Sequence, residues 1–292
     1  MYGRRKKAQI KEKTVSQPAL PRVLSIAGTD PTGGAGIHAD LKSFEAAGAY
    51  GMAVVTALVA QNTQGVHSIH TPPVDFLREQ LASVKDDVTI DAVKIGMLGS
   101  VAITETVSDF LASLPAGVPV VCDPVMVASS GDRLLEPEAE RAVRELARRA
   151  TVVTPNLPEL AVLAGVAEPR TFDDALSVAT KWAHENDTWV VVKGGHLDGA
   201  QADNATVSPS GDITRVPYPR IDTKNTHGTG CSLSSALAAR LGAGESLDEA
   251  LVWATEWLHE AIKHADALHV GHGHGPVDHG HRLRRLAAEA QS

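Results

Sequence analysis

The sequence predicts an α/β fold with a mostly parallel sheet covered by helices on both faces. Short, continuous apolar runs, such as residues 118–122 and 189–192, are typical of strands that are buried on both faces. Segments with helical spacing alternate with these runs, as in doubly wound α/β proteins. At 292 residues and 43% hydrophobic content, the chain is large enough to bury one sizeable core. The sequence contains no internal repeat and no long linker, so we expect one domain.

Each predicted element follows from its local pattern, taken in chain order. Apolar runs that end at glycine or polar residues predict strands at 23–27, 53–59, 92–95, 118–123, 151–154 and 189–193. Between these strands, helical spacing predicts helices at 37–47, 74–84, 101–114, 137–150, 157–164 and 172–185. After residue 193, turn-rich sequence surrounds two weak strands at 205–207 and 214–216, which predict a hairpin. Two long helices, 229–241 and 247–267, and a Gly/His segment complete the predicted order.

Charge and cysteine content exclude several classes of protein. Residues 1–13 hold six Arg or Lys and one Glu, a net charge of +5. Because the formal net charge of the whole chain is −8, the remaining residues together carry −13. A body that acidic argues against a nucleic-acid partner. The sequence has no apolar run of membrane-spanning length and no secretory pattern at its start, so we expect no membrane partner and a cytoplasmic location. Cys122 and Cys231 are far apart, which favours reduced thiols.

A glycine-rich turn leads into the helix predicted at 229–241. Residues 225–231 read NTHGTGC, and the N–H groups of the first helical turn face whatever lies in front of them. Together with the helix dipole, these groups favour an anion, most plausibly a phosphate. Cys231 lies at the start of the helix, where the dipole favours thiolate and places a proton acceptor beside the anion. The pattern predicts phosphoryl transfer, although an ordinary helix start with a core cysteine also fits it.

Polar residues follow several of the predicted parallel strands. In open α/β sheets, ligands bind at the carboxyl ends of the strands, where this sequence has Asp123, Asn156, Glu159 and Lys193. Carboxylates hold Mg²⁺ directly or through water, and a lysine offsets phosphate charge. Each of these residues alone also fits a helix cap or a turn. Together they predict a Mg-nucleotide site.

Two other motifs leave alternatives open. Residues 34–39 fit the G-x-G-x-x-G/A dinucleotide pattern, but residues 30–33 separate the strand from the first glycine, and Gln61 and Asn62 replace the acid expected on the second strand. An oxidoreductase or a non-catalytic binding protein therefore remains possible on the residues alone. Five C-terminal histidines could gather a metal, but their glycine-rich spacing is more typical of a solvated or packed loop: His269, His272, His274, His279 and His281.

Six segments resemble the hydroxymethylpyrimidine and phosphomethylpyrimidine kinases of thiamine biosynthesis, which belong to the ribokinase-like superfamily. They are IAGTDPTGGAGIHAD at 26–40, TALVAQNT at 56–63, KIGML at 94–98, TPNLPE at 154–159, VKGGH at 192–196 and KNTHGTGC at 224–231. The resemblance implies a three-layer, doubly wound sheet. It implies a kinase domain over residues 21–283 and leaves out a tail at 284–292. The basic charge of the first residues predicts a disordered leader at 1–20.

The resemblance also implies an activity. The expected reaction is ATP- and Mg²⁺-dependent phosphorylation of 4-amino-5-hydroxymethyl-2-methylpyrimidine to its monophosphate and then to its diphosphate. Related enzymes are often dimers, so a homodimer is expected. A pyridoxal or pyridoxine kinase on the same scaffold is the alternative, and Gln61 favours the aminopyrimidine.

Site residues follow from the matched motifs. Gln61 would read the aminopyrimidine edge, since a carboxamide has a donor beside an acceptor. The remaining expected substrate contacts are Gly28, Asp40, Val59, Met97 and Val125. Cys231 would be the catalytic base, and the N–H groups of Gly228, Thr229 and Gly230 would hold the moving phosphoryl group. The expected ATP contacts are Asn156, Lys193, Lys224 and Thr226, and the expected metal ligands are Asp123 and Glu159.

Overall fold

A computed structural model describes residues 20–126, 138–197 and 199–291. The leader expected at 1–20 therefore lies almost wholly outside the described residues, as does the start of the helix predicted at 137–150. The strands are β1 (Arg22–Ala27), β2 (Tyr50–Val55), β3 (Leu58–Asn62), β4 (Gly65–His70), β5 (Ala92–Ile95), β6 (Val120–Cys122), β7 (Val152–Val153), β8 (Trp189–Lys193), β9 (Asn204–Val207) and β10 (Ile213–Val216).

The helices connect these strands and cover both faces of the sheet. They are α1 (Gly36–Ala46), α2 (Val74–Asp87), α3 (Val101–Ala112), α4 (Ala139–Ala147), α5 (Leu157–Ala164), α6 (Phe172–Asn186), α7 (Thr229–Gly242), α8 (Leu247–Lys263) and α9 (His281–Glu289). None of the helices in the described part of the chain has the length and apolar character needed to cross a membrane.

The main sheet has the strand order β10-β9-β8-β7-β6-β5-β1-β2. From β8 to β2 the neighbouring strands are parallel, whereas β8, β9 and β10 pair antiparallel. The carboxyl ends of β1, β5, β6, β7 and β8 therefore meet at one edge of the sheet. The predicted α/β class is confirmed, as is the hairpin predicted from the strands at 205–207 and 214–216.

Alternate residues of the central strands feed two cores. In β8, Val190 and Val192 face the layer of α2, α3, α5 and α6, whereas Val191 faces the layer of α1, α7 and α8. All three valines are almost completely buried. Because successive side chains of a strand point to opposite faces, an unbroken valine run fits only a strand with helices on both sides. The apolar runs of the sequence therefore specify the three-layer arrangement.

The prediction of one continuous strand at 53–59 is wrong, because the chain bends at Thr56 and Ala57 between β2 and β3. The Thr56 hydroxyl donates to the Met97 carbonyl oxygen at 2.6 Å, and the Ala57 carbonyl accepts from the Thr29 N–H at 2.9 Å. These bonds end β2 and direct β3 out of the main sheet. Among the described residues, β3 pairs with the unpredicted strand β4 as a two-stranded antiparallel ribbon, with a bulge between Ala60 and Gln61.

Two boundaries near the C-terminus also differ from the prediction. The helix predicted at 247–267 ends at Lys263, and a 3₁₀ turn over Ala265–Leu268 follows it. The residues assigned to a tail at 284–292 include most of α9, which begins at His281. His281 bonds to Glu260 of α8 at 2.8 Å, so this end of the chain packs on the body of the protein.

Candidate active site

The start of α7 forms one wall of the site, as predicted. Gly228 caps this helix with a φ of 81°, a left-handed conformation that glycine adopts without strain. A Cβ atom on Gly228 would lie 1.7 Å from the carbonyl oxygen of Gly34, so no side chain fits there. The close contact holds the turn before α7 against the loop after β1. The N–H groups of the first helical turn therefore have a fixed position at the sheet edge.

A cavity of about 120 Å³ lies in front of this helix start. Gln61 and Cys231 both line it, and Val59 and Met97 pack together on its apolar side with the partly buried Val125. Gly28 approaches closely, since a Cβ there would lie 3.2 Å from the Met97 sulfur. The structure thus brings together the predicted substrate and catalytic residues Gly28, Val59, Gln61, Met97, Val125, Gly228, Gly230 and Cys231.

Asp40 is the predicted substrate residue that does not line this cavity. Its side chain is fully buried, and its two carboxylate oxygens accept hydrogen bonds from Lys94 at 2.8 and 2.9 Å. Ser25 and Ser235 donate to the same carboxylate at 2.6 and 2.7 Å. Asp40 therefore holds Lys94, and Lys94 is the group that reaches the cavity. Burial alone would lower the pKa of Lys94, but Asp40 raises it overall, so the ammonium stays charged.

The Cys231 thiol differs from the thiolate predicted from the helix dipole. Burial raises the pKa of Cys231 to about 11, and Asp40 and Asp123 add to the rise. Lys94 opposes it, without reversing it. Loss of solvent around the sulfur therefore has a larger effect on its pKa than the nearby positive charge of Lys94. Cys231 and the fully buried Cys122 are both free cysteines. With its raised pKa, the Cys231 sulfur is mainly a neutral sulfhydryl at pH 7.

Asp123 and Lys193 form a buried ion pair between the cavity and α5. The Lys193 ammonium lies 3.1 Å from the Asp123 carboxylate, which also accepts from the Thr154 hydroxyl at 3.0 Å. Although burial raises the pKa of Asp123, Lys193 and Lys94 lower it overall, so Asp123 is ionised. Burial and the charge of Asp123 raise the pKa of Glu159, against the effect of Lys193. The carboxylates of Asp123 and Glu159 therefore lie on the same side of the site as the Lys193 ammonium.

Glu159 and Asn156 also build the first turn of α5. The Asn156 side chain accepts from the Glu159 N–H at 2.8 Å, and Glu159 accepts from the Asn156 N–H at 2.8 Å. This reciprocal capping box fixes both side chains at the end of β7. Asn156 and Glu159 therefore form a helix cap, and this cap lies at the sheet edge where the sequence predicts a nucleotide site.

A second cavity of about 820 Å³ adjoins the first and shares Glu159, Lys193 and Gly230 with it. The predicted ATP residues Asn156, Lys193 and Thr226 line it, together with Thr229, but Lys224 does not. Lys224 is exposed, and its carbonyl oxygen lies 3.1 Å from a ring nitrogen of His274. The far wall is apolar or aromatic, formed by Tyr218, Ile221, Leu233, Leu258, His259 and Ile262. A third, more open cleft of about 930 Å³ beside α6 contains none of the predicted site residues.

One pair beside the site was not predicted from sequence. The Asp30 carboxylate lies 2.7 Å from Nε2 of His227 and accepts from the N–H groups of Thr32, Gly34 and Ala35. Burial raises the pKa of Asp30, but the bonds from His227 and Thr32 lower it below its usual range. The Asp30–Pro31–Thr32–Gly33 turn is a recognisable signal for a local cap. Its partner is 197 positions away, and no local pattern indicates it.

Metal ligation by the described residues alone is limited. No group of three or more His, Cys, Asp or Glu side chains in the described part of the chain is arranged to hold a metal ion. Mg²⁺ commonly uses one or two carboxylates and takes its other ligands from water and substrate phosphates. Asp123 and Glu159 supply hard oxygen donors at the junction of the two cavities, so they fit that pattern.

Comparison with known proteins identifies the family. The sequence model for phosphomethylpyrimidine kinase matches residues 30–278. The chain belongs to this family. This family member is 59% identical over 278 residues to the thiamine biosynthesis multifunctional protein ThiED of Corynebacterium glutamicum, a match that covers 95% of the chain but 36% of ThiED. It is 48% identical over 259 residues to the hydroxymethylpyrimidine/phosphomethylpyrimidine kinase of Escherichia coli, covering 88% of the chain and 97% of that enzyme.

Solved structures agree with the family assignment and with the predicted ribokinase-like fold. The ADP complex of Bacillus subtilis pyridoxal kinase matches this phosphomethylpyrimidine kinase family member with a TM-score of 0.81 and 36% identity, covering 91% of the chain and 100% of that structure. The phosphomethylpyrimidine kinase of Clostridium difficile matches with a TM-score of 0.72 and 36% identity, over 83% of the chain and 99% of that structure.

Proposed function

We propose that this chain transfers the γ-phosphoryl group of Mg-ATP to 4-amino-5-hydroxymethyl-2-methylpyrimidine and then transfers a second phosphoryl group to the monophosphate. The main structural support is that a small cavity lined by Gln61 and Cys231 adjoins a larger cavity, and that both are lined by Lys193, Glu159 and Gly230. The names and lengths of the relatives support this activity, since the chain spans 97% of the Escherichia coli kinase and about a third of the multifunctional protein ThiED.

The small cavity has the size and chemistry for one heteroaromatic ring. A cavity of about 150 Å³ in another protein binds benzene. This cavity is about 120 Å³ and shares three lining residues with the second cavity. Val59 and Met97 contact the ring faces, while the Gln61 carboxamide matches a ring nitrogen beside an amino group. The hydroxymethyl group then points toward Cys231 and the start of α7.

The larger cavity takes the nucleotide. Its apolar and aromatic wall at Tyr218, Ile221 and Ile262 suits a base, and its polar end at Asn156, Thr226 and Lys193 suits phosphates. Lys193 and the N–H groups of Thr229 and Gly230 offset the charge of the transferred group. Asp123 and Glu159 would hold Mg²⁺, which would supply charge neutralisation for the phosphates when bound. Lys224 is exposed outside this cavity and contributes no direct contact in the proposal.

Cys231 acts as the proton acceptor for the alcohol in the first transfer. Its thiolate is the minor form at neutral pH, and Lys94 is the cation beside it that favours this form. Transfer through a loose transition state depends mainly on positioning and charge neutralisation, so the alcohol proton leaves late. The second transfer has an ionised phosphate as acceptor and needs no base. Asp40 holds Lys94 in place, so it supports the site from behind the cavity.

The proposal also includes the location, the assembly and the domain organisation of the enzyme. We propose a cytoplasmic homodimer with small-molecule substrates, a basic leader at residues 1–20, a kinase domain at 21–283 and a tail at 284–292 that includes most of helix α9. Gel filtration with light scattering tests the dimer, for which a mass near twice the 30.7 kDa of the chain is expected. A monomer at micromolar concentration would remove that part of the proposal.

Pyridoxal kinase is the second candidate, because structures of that class share this scaffold. The Staphylococcus aureus pyridoxal kinase, solved with AMP-PCP and pyridoxal, matches with a TM-score of 0.81. Gln61 favours the aminopyrimidine, since pyridoxal has no ring nitrogen next to an amino group.

Mass spectrometry of the products separates the candidates. Incubation with Mg-ATP and the hydroxymethylpyrimidine should give a product heavier by one phosphoryl unit and then one heavier by two. Parallel reactions use pyridoxal in place of the pyrimidine, and the Cys231→Ala variant serves as control for a contaminating kinase. Phosphorylation of pyridoxal with no pyrimidine product would replace the proposal by the second candidate.

A further inference from the structure

A glycine-rich segment near the C-terminus, residues 271–276, packs on the turn of the β3–β4 ribbon. The His274 N–H donates to the Thr63 carbonyl oxygen at 2.9 Å, and the Gly273 N–H donates to the Thr63 hydroxyl at 3.1 Å. A Cβ on Gly273 would lie 1.9 Å from the Thr63 carbonyl oxygen, and a Cβ on Gly271 would lie 2.2 Å from its hydroxyl. The backbone approaches the ribbon too closely for any larger residue.

The other side of the same segment contacts the loop that leads into α7. The Gly275 N–H donates to the Asn225 side-chain oxygen at 2.9 Å, and the His227 N–H donates to the Gly275 carbonyl oxygen at 3.0 Å. A Cβ on Gly275 would lie 2.3 Å from that Asn225 oxygen. Within five residues, the segment is bonded both to the ribbon that carries Gln61 and to the loop that carries Gly228.

Buried residues just after the segment anchor it to the helices of the core. The Asp278 N–H donates to the Ala261 carbonyl oxygen of α8 at 2.9 Å. The His279 ring lies 2.8 Å from the hydroxyl of Ser232, the residue after Cys231. Both Asp278 and His279 are buried. These two hydrogen bonds therefore fix the position of the segment relative to the first turn of α7.

Val59 and Val66 of the ribbon pack with Met97, and hydrogen bonds at both ends of β3 hold the ribbon to the rest of the described protein. At its base, the Val59 N–H donates to the Thr29 hydroxyl at 2.9 Å, and at its tip Thr63 meets the glycine segment. Gln61 lies midway between these two points, beside the bulge in the ribbon. Among the described residues, β3 and β4 form no ladder with the main sheet. The contact at Thr63 therefore sets where the ribbon tip stands relative to α7.

We propose that residues 271–276 are a positioning segment for the acceptor site: they set the position of Gln61 relative to Cys231 and so determine how well the acceptor ring is held. The naming of Gln61 as the acceptor reader rests on the proposed function. The glycines contact neither cavity, so they act through the ribbon. Because misplacement of a binding group by about 1 Å costs up to a hundredfold in rate, small shifts of this contact are measurable.

Gly273→Ala is the primary test, with Gly280→Ala as its matched control. A Cβ on Gly280 meets the end of the exposed Arg284 side chain, which pairs with Asp278, so this control adds a methyl group beside the same anchor without touching the ribbon. We expect Gly273→Ala to raise the KM for the pyrimidine by about tenfold and to leave the KM for ATP within about twofold. Gly280→Ala should change neither value. Equal rises in both KM values, or no change in either, would overturn the proposal.

Hydrogen exchange in the absence of substrates tests the contact independently of the reaction. Amides of residues 61–66 should exchange faster in Gly273→Ala than in the parent and in Gly280→Ala, while amides of β5 and β6 remain unchanged. If the parent turns over no pyrimidine but the exchange pattern appears, the proposed function fails and the positioning role stands. Unchanged exchange in residues 61–66 would overturn the positioning role even in an active kinase.

A milder variant covers the case in which Gly273→Ala does not fold. Thr63→Val keeps the shape of the side chain and removes the hydroxyl that accepts from Gly273. The pyrimidine KM should rise by about two- to tenfold, as expected for the loss of one hydrogen bond. Its ATP KM should stay at the parent value, and a pyrimidine KM equal to that of the parent would count against the proposal.

Discussion

The pH dependence of the two phosphoryl transfers should differ because only the first acceptor needs a base. The pKa of Cys231 is raised to about 11, so the thiolate fraction is about one in 10⁴ at pH 7 and about one in 10² at pH 9. A base whose pKa lies above the working pH gains its active form as the pH rises. The rate of transfer to the alcohol should therefore increase by about a hundredfold between pH 7 and pH 9.

The monophosphate acceptor provides the internal comparison. Its second ionisation has a pKa of about 6, so it is already ionised over the same pH range and its rate should be nearly flat. Titration of Glu159, whose pKa is raised by burial, acts on the nucleotide side and affects both transfers equally. The pH dependence of the ratio of the two rates therefore reports the titration of Cys231 alone.

Single-turnover rapid-quench kinetics with each acceptor measures these rates without interference from product release. The control is Cys231→Ala, which should lose most of kcat for the alcohol, change the Kd for the pyrimidine little and remove the pH dependence. A flat profile for the alcohol in the parent enzyme, or retained turnover in Cys231→Ala, would refute the assignment of Cys231 as proton acceptor.

Three further substitutions test the remaining parts of the site. Gln61→Glu replaces the amide donor by a carboxylate and should raise the pyrimidine KM by about ten- to a hundredfold in steady-state assays; an effect on the ATP KM alone would contradict the role of Gln61. Lys94→Met leaves the fully buried Asp40 carboxylate without its cation, so urea unfolding should show a loss of about 3–5 kcal/mol, and a loss below about 1 kcal/mol would disprove a critical ion pair. Asp123→Asn should raise the Mg²⁺ concentration for half-maximal rate by about tenfold or more with an unchanged pyrimidine Kd by calorimetry, and an unaltered Mg²⁺ requirement would exclude Asp123 as a ligand.

Local patterns in the sequence predict those parts of the structure that depend on local pairing. The valine run of β8 specifies a strand buried on both faces, and the glycine turn before α7 specifies a helix start open to an anion. Asn156 and Glu159 lie three positions apart and satisfy each other, so their position at the end of β7 follows from adjacent residues. These features needed no knowledge of distant contacts.

The errors arise where distant contacts decide the outcome. The bend at Thr56 depends on the Met97 carbonyl oxygen, 41 positions away, and it removes β3 from the sheet. The Asp40–Lys94 pair joins residues 54 positions apart. A lysine inside a four-residue apolar strand was the available signal that Lys94 has a buried partner. The raised pKa of Cys231 depends on the shape of the assembled cavity, which no local motif specifies.

The separation of the β3–β4 ribbon from the main sheet has an evolutionary consequence. The proposed nucleotide side of the site is built on core strands and on a turn where Gly228 meets Gly34, so substitution of Gly228 would also disturb packing. The ribbon that carries Gln61 adds no strand to that core. If the ribbon reads the acceptor, as proposed, its residues can change without disturbing the strands that form the proposed phosphate donor site. Substitutions in the ribbon would then alter which acceptor is bound while the fold is retained.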